Sequence, residues 1–267
     1  MSSELARSRK GRQGTELLCE RLFRPLAHAL VLCLLPLRVP PPAVVVAAGV
    51  TGLAGAVELA RGHLLVAALL VQLKTVLDNA DGQLARLSGR TSAFGRYLDS
   101  ELDLLVNAAL LAALGWFAGA PVLALVAFLV LTGVLSLNFN LERLYRVERG
   151  ASGEAMPEAE GAATRVLRHV YAVAYGWQDA LVERFVAWRL RGFPPAARLA
   201  YHDALGVEVL ANLGMSTQLA ALGLCLTVGR PLAFVWLVLA ELPLVVLILV
   251  RRELLLRGSA YVEREAL

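Results

Sequence analysis

The chain has 267 residues, 58% of them hydrophobic, and a mean hydropathy of +0.62. This composition is too apolar for an ordinary soluble domain and is typical of a protein with several membrane-spanning helices. The net charge of +4 is modest, and three scattered cysteines support neither a disulfide framework nor a zinc site. No cleavable signal peptide is expected, because the first apolar run lacks a convincing cleavage site.

The first 42 residues are predicted to form a basic tail and an interfacial helix. Residues 1–13 are polar and basic, so we expect them to be disordered or to lie on anionic lipid. Residues 15–38 are apolar, but arginines and prolines interrupt them too often for a confident span. An amphipathic helix at the membrane interface is therefore favoured. The prolines at 40–42 then start a new helix, because proline is tolerated in a first turn.

Six membrane-spanning helices are predicted between residues 43 and 250, each near the roughly 20 residues that a bilayer requires. The sequence therefore indicates an all-α integral membrane protein. It has a cytoplasmic insert at 140–205 and a cytoplasmic C-terminal tail at 251–267. The six helices cover about 43–60, 63–82, 96–117, 121–139, 206–228 and 232–250.

A polar stretch from Asp78 to Asp103 interrupts this apolar sequence. Asp78 and Asp81 share one helix face, and Asp99 and Asp103 share a face of the next helix. If the two helices pack side by side, four carboxylates converge, and such a cluster needs positive charge. Two magnesium or manganese ions could supply it and could also bridge a diphosphate. Small residues would let a nucleotide approach the backbone; these are Gly82, Ala85 and Gly95.

The stretch fills all eight fixed positions of the pattern D-x2-D-G-x2-A-R-x8-G-x3-D-x3-D. The chain thereby resembles the CDP-alcohol phosphatidyltransferases. The resemblance implies an enzyme of phospholipid biosynthesis that transfers a phosphatidyl-type group from a CDP-linked donor, such as CDP-diacylglycerol, to an alcohol and releases CMP. It further implies metal binding by Asp78, Asp81 and Asp99. Asp103 would deprotonate the acceptor and help to hold a metal.

Basic side chains near the motif have several possible roles. Arg86 belongs to the motif and could bind nucleotide or a carboxylate, or could simply mark the membrane interface. Arg90 and Arg96 could contact a phosphate or serve only as cytoplasmic positive charge. Lys74, one turn before Asp78, could pair with a motif aspartate, reach an acceptor phosphate or snorkel.

The acceptor and the reaction class each leave alternatives. Gly95-Arg96 and Asp103-Leu104 depart from the pattern common in bacterial relatives that use inositol phosphate, which argues against that acceptor. Glycerol phosphate, serine, inositol derivatives and another lipid alcohol stay open, and the donor could also be a small CDP-alcohol. The alternative function is a divalent-cation or proton-coupled transporter, which would place acidic residues near the midplane on broken helices.

The distribution of basic residues predicts the orientation. All but three of the 26 Lys and Arg residues lie in segments that share one side of the membrane. The positive-inside rule places both termini and the motif on the cytoplasmic side of the cell membrane. No nucleic-acid partner is expected. The resemblance suggests a homodimer, and small residues on the first helix permit close approach to a second copy or within the protomer; these are Gly49, Gly52, Gly55 and Ala56.

The insert at 140–205 contains a predicted amphipathic helix in which apolar residues recur at steps of three and four. With its tryptophans and arginines it suits the headgroup layer, but its apolar face could equally pack on its own domain. The apolar positions are Val166, Val170, Val173, Trp177, Leu181, Phe185 and Trp188, and the interleaved arginines are Arg165, Arg168, Arg184 and Arg189.

Overall fold

The computed structural model describes residues 14–151 and 161–265, and all regular structure within them is helical, as the sequence predicts. The predicted basic tail at 1–13 lies outside the described residues. Two π-helical turns occur, at Cys19–Phe23 and Ala172–Gly176. The α-helices are α1 Arg24–Leu34, α2 Pro41–Ala60, α3 Leu64–Leu87, α4 Ala93–Phe117, α5 Pro121–Glu148, α6 Ala162–Tyr171, α7 Trp177–Arg189, α8 Pro195–Tyr201, α9 Ala204–Ala211, α10 Met215–Thr227 and α11 Pro231–Glu265.

Within the described residues, five segments are long and apolar enough to cross a membrane, one fewer than the six that were predicted. α3 has 24 residues, but it carries Lys74, Asp78 and Asp81 and is not among the five. The motif itself therefore makes this helix less apolar than a typical span. The five segments are Pro41–Ala60, Ala93–Phe117, Pro121–Glu148, Pro195–Thr227 and Pro231–Ser259.

The continuous helix predicted at about 206–228 is interrupted between α9 and α10. Asn212 and Gly214 are weak helix formers, and the Asn212 side chain donates to the Thr15 carbonyl at 3.0 Å. The Glu16 carboxylate then accepts hydrogen bonds from the Thr217 amide at 2.6 Å and from its hydroxyl at 2.8 Å. The Glu16 carboxylate thus provides a hydrogen-bond acceptor for an amide in the first turn of α10, and it caps the start of this helix.

The end of the chain also differs from the prediction. α11 begins at Pro231 and continues to Glu265, whereas the sixth span was predicted to end near residue 250. Residues 251–265 of the predicted C-terminal tail thus extend the same helix. Their side chains are tied to the insert, since Arg189 forms a salt bridge with Glu253 on α11.

The central helix is α2, along which both α3 and α4 pack. Glycines make this approach close. A Cβ on Gly49 would lie 3.0 Å from the Leu102 side chain, and one on Gly52 would lie 2.5 Å from Val106 and 3.2 Å from Lys74. These small residues therefore face helices of their own protomer. Of the two roles that the sequence left open for them, packing within the protomer is the one observed.

The helix that was predicted at 15–38 covers the motif-bearing helix from one side. Its π-helical turn leads into α1, on which Ala27 and Val31 pack against Ala80 and Leu84 of α3. The buried face of this segment thus contacts residues directly beside Asp81.

Candidate active site

Three of the four motif aspartates meet between α3 and α4. Asp78 comes from α3, whereas Asp99 and Asp103 lie one turn apart on α4. Each offers a carboxylate oxygen, and these three atoms lie within 4.8 Å of one another. All three side chains are half-buried. A group of hard oxygen donors at such separations suits magnesium or manganese, which prefer a few carboxylates together with water and phosphate oxygens.

The fourth aspartate, Asp81, lies beside this group and not within it. Its side chain is buried and accepts a hydrogen bond from the Gly82 amide of its own helix. Four carboxylates were predicted to converge, and three of them do so. The Asp81 side chain bonds the backbone of α3 instead. Its role as a metal ligand stays a prediction.

Lys74 bridges two members of the acidic group. Its side chain is only 2% exposed, and its Nζ donates to Asp78 Oδ1 at 3.0 Å and to Asp103. Among the three roles that the sequence allowed, pairing with motif aspartates is the one observed. The ammonium supplies positive charge beside two half-buried carboxylates, which would otherwise repel each other. Contact with an acceptor phosphate stays a prediction.

The small residues of the motif line the same region. Gly82 and Ala85 lie on α3 and Gly95 lies in the first turn of α4, and all three are half-buried. Ser92 caps α4, and its Oγ accepts from the Gly95 amide at 3.1 Å. A Cβ on Gly82 would come within 3.2 Å of Arg86 Nη1, so the Arg86 guanidinium lies next to bare backbone. This arrangement is compatible with nucleotide binding.

The other loop arginines lie further out. Arg90 is exposed and donates to the Arg38 carbonyl at 3.4 Å, while Arg96 is exposed on the first turn of α4. Their contact with substrate phosphate stays a prediction.

A polar and aromatic cluster beside the aspartates was not predicted. Asn140 on α5 is buried and donates to Asp179 Oδ1 at 2.7 Å, and the Tyr171 hydroxyl donates to Asp179 Oδ2 at 3.2 Å. The Tyr175 hydroxyl donates to the carbonyl of Ser100, next to Asp99, at 3.4 Å. Burial raises the pKa of Tyr171 and of Tyr175, so both hydroxyls stay protonated donors. Two of these three hydrogen bonds join residues at least 39 positions apart, so no local sequence pattern predicts them.

Comparison with known proteins identifies the family. Residues 27–192 match the family model of the CDP-alcohol phosphatidyltransferases. The chain belongs to this family. The match confirms the resemblance carried by the aspartate motif and favours an enzyme over a transporter. The family is divalent-metal dependent, and the group of Asp78, Asp99 and Asp103 could bind such a metal.

Relatives in the family share only part of their length with this chain. The bifunctional IPC transferase and DIPP synthase of Thermococcus kodakarensis is 40% identical over 79 residues, 29% of this chain and 18% of that protein. The phosphatidylinositol phosphate synthase of Corynebacterium glutamicum is 35% identical over 78 residues, 29% of this chain and 36% of that protein. The chain thus spans well under half the length of these relatives.

Proposed function

We propose that the protein transfers a substituted phosphate group from a CDP-linked donor, such as CDP-diacylglycerol, to an alcohol and releases CMP in phospholipid biosynthesis. The observation that carries this proposal is the meeting of Asp78, Asp99 and Asp103 within 4.8 Å at the family motif. The reaction needs negative phosphate groups to be held beside a nucleophile, and a carboxylate group that holds divalent cations can do so.

The proposed site holds two magnesium or manganese ions. Asp78, Asp99 and Asp103 supply the adjacent oxygens, and Asp81 joins them when its side chain turns away from the Gly82 amide. Bound there, the ions would neutralise the donor diphosphate and stabilise the attacking and leaving oxygens. The nucleotide lies against Gly82, Ala85 and Gly95, with Arg86 beside it.

Asp103 is the proposed general base. It takes the proton of the acceptor hydroxyl as that oxygen forms a bond to the donor phosphorus and the bond from phosphorus to the CMP oxygen breaks. Asp103 lies one helical turn further along α4 than Asp99, and Lys74 donates a hydrogen bond to it. This bond would fix the orientation of the carboxylate toward the acceptor.

The proposed topology has six spans, with both termini and the active site on the cytoplasmic side of the cell membrane. α3 is counted as a span in addition to the five candidate segments, because Lys74 is buried within the protein and pairs with Asp78. The segment around α1 lies at the interface. We also propose a homodimer, and this proposal rests on the family resemblance alone. Gly49 and Gly52 give it no support, since they pack against helices of their own protomer.

A CMP-release assay tests the function. Purified protein in lipid nanodiscs is offered CDP-diacylglycerol or a small CDP-alcohol, each with glycerol phosphate, serine, inositol or inositol phosphate. Inositol phosphate belongs in this panel, although the sequence argues against it, because one relative is named for phosphatidylinositol phosphate. At least one combination should release CMP. Asp99→Asn should abolish release, while Glu58→Gln, a carboxylate bonded to Arg61 and His63, should not.

Two outcomes would contradict the proposal. One is a folded wild-type protein that fails to release CMP with every combination of donor and acceptor in the panel. The other is an Asp99→Asn protein that releases CMP as fast as the wild type.

A further inference from the structure

An exposed apolar stripe runs along the insert. It consists of seven side chains on α6, the π-helical turn and α7, each between 42% and 66% exposed. An aqueous surface rarely carries so many large apolar side chains in one row, so a stripe of this kind marks an interaction surface. We call it the outer stripe; its residues are Val166, Val170, Val173, Trp177, Leu181, Phe185 and Trp188.

The opposite face of the same segment already packs on the helical domain. The Tyr171 ring meets the Tyr97 ring of α4 at a centroid distance of 5.5 Å. Further along, Val186 is buried in a cluster with Leu256 of α11. The segment is therefore fixed at both ends with its outer stripe turned away from its own domain. Among the described residues, nothing covers the stripe.

The position of the segment indicates which surface covers the outer stripe. Tyr97 and Asn140, on which it rests, lie near those ends of two candidate spans, α4 and α5, that adjoin the aspartate group. The segment thus lies where these spans leave the apolar part of the bilayer. Exposed arginines adjoin the stripe at Arg165, Arg168 and Arg184 and complement anionic headgroups. Tryptophan is enriched at this depth.

We propose that the outer stripe docks on the anionic headgroup layer of the membrane. The segment lies flat there, with its apolar side chains among the upper acyl chains. A second copy of the chain fits less well, because a two-fold contact along this stripe would bring the same arginines from both copies together.

The docked segment also supports the active site. Tyr175 donates to the Ser100 carbonyl, and Ser100 directly follows Asp99 on α4. Lipid docking on the outer face therefore holds the turn of α4 that carries the aspartates. This part of the inference rests on the proposed function, whereas the docking itself does not.

Depth-dependent quenching tests the docking without any catalysis. The chain has four tryptophans. A variant that keeps only Trp177, with the other three changed to phenylalanine, is placed in nanodiscs whose lipids carry bromine either high or low on the acyl chain. We expect strong quenching by the high bromines and weak quenching by the low ones. A variant that keeps only Trp236, exposed on α11 within a candidate span, reports on a membrane-embedded position as a control.

The charge is tested in the same way. Both samples carry bromine high on the acyl chain. Trp177 should be quenched less in nanodiscs of phosphatidylcholine alone than in nanodiscs that also contain phosphatidylglycerol. The triple variant Arg165→Gln, Arg168→Gln, Arg184→Gln should lose this difference, while Arg257→Gln on α11 should keep it. If the Trp177 variant does not fold, the variant that keeps only Trp188 gives the same readout.

Absence of quenching in folded protein would overturn the docking. Crosslinking between two copies through Trp177→Cys, with no quenching, would assign the stripe to a second copy instead. Quenching without any CMP release would support the docking and contradict only the proposed function.

Discussion

Lys74 on α3 donates a hydrogen bond to Asp103 on α4, 29 residues further along the chain. The same Nζ donates to Asp78 at 3.0 Å, so one buried cation joins the two helices that carry the motif. Adjacent carboxylates repel one another unless a positive charge lies between them. Lys74 therefore belongs to the site as a structural counter-charge, whether or not it also meets a substrate.

Removing this counter-charge should destabilise the metal-free protein. Lys74→Met keeps most of the side-chain volume but leaves the half-buried carboxylates of Asp78 and Asp103 without their hydrogen-bond donor, a change that should cost about 1–3 kcal/mol. We expect the melting temperature in chelator to fall by about 5 °C or more. Added magnesium should restore part of the loss, because a divalent cation also neutralises the carboxylates. Lys74→Arg, which keeps the charge, is the control. An unchanged melting temperature of Lys74→Met in chelator would show that the lysine does not stabilise the group.

Asp103→Asn should separate chemistry from binding. Asparagine is nearly the same size but cannot accept the proton of the acceptor hydroxyl, so turnover should fall by at least roughly 100-fold. Binding of the CDP-linked donor, measured by calorimetry, should persist. Asp78→Asn should weaken metal and donor binding as well. Near-normal turnover of Asp103→Asn at saturating metal would exclude Asp103 as the base.

Metal removal should abolish activity reversibly. The group of Asp78, Asp99 and Asp103 offers hard oxygen donors, which bind magnesium or manganese. Release of CMP should stop in excess chelator and return on addition of either ion. Isothermal titration of the metal-free protein should give two binding events per protomer for the wild type and fewer for Asp99→Asn. Full CMP release in excess chelator would refute a metal-dependent mechanism.

The close approach of α2 to α4 should tolerate no added methyl group. A Cβ on Gly52 would lie 2.5 Å from Val106 and 3.2 Å from Lys74. Gly52→Ala should therefore destabilise the protein by about 1–3 kcal/mol and reduce activity, since α4 or Lys74 has to shift. Gly133→Ala is the matched control, because that glycine also lies inside a helix and nothing lies within 4 Å of its Cβ. Equal melting temperatures and activities for the two variants would contradict this account.

Helical periodicity made the core of the site predictable. Spacings of three and four residues place Asp78 and Asp81 on one helix face and Asp99 and Asp103 on another, and the group of three follows once the helices share a neighbour. Helical periodicity predicts the face of the helix on which a side chain lies, but it does not predict the partner to which that side chain bonds. Asp81 accepts a hydrogen bond from the Gly82 amide of its own helix. Lys74 pairs with Asp103, which is one of the three roles that the sequence left open for it.

Contacts between distant parts of the chain were beyond sequence reasoning. The interruption after Ala211 depends on Thr15 and Glu16, about 200 residues earlier. Asn140 on α5 likewise bonds Asp179 on α7, 39 residues further along the chain. The sequence predicted a row of apolar positions between residues 166 and 188, and all seven side chains are exposed in the structure. It could not decide which way the row faces, because that depends on what the opposite face finds to pack on.

The cap that Glu16 places on α10 has a consequence for synthesis. The ribosome makes Glu16 201 residues before Thr217, so the carboxylate is complete long before the amide that it will accept. The two hydrogen bonds that cap the start of α10 can therefore form only after synthesis has passed Thr217.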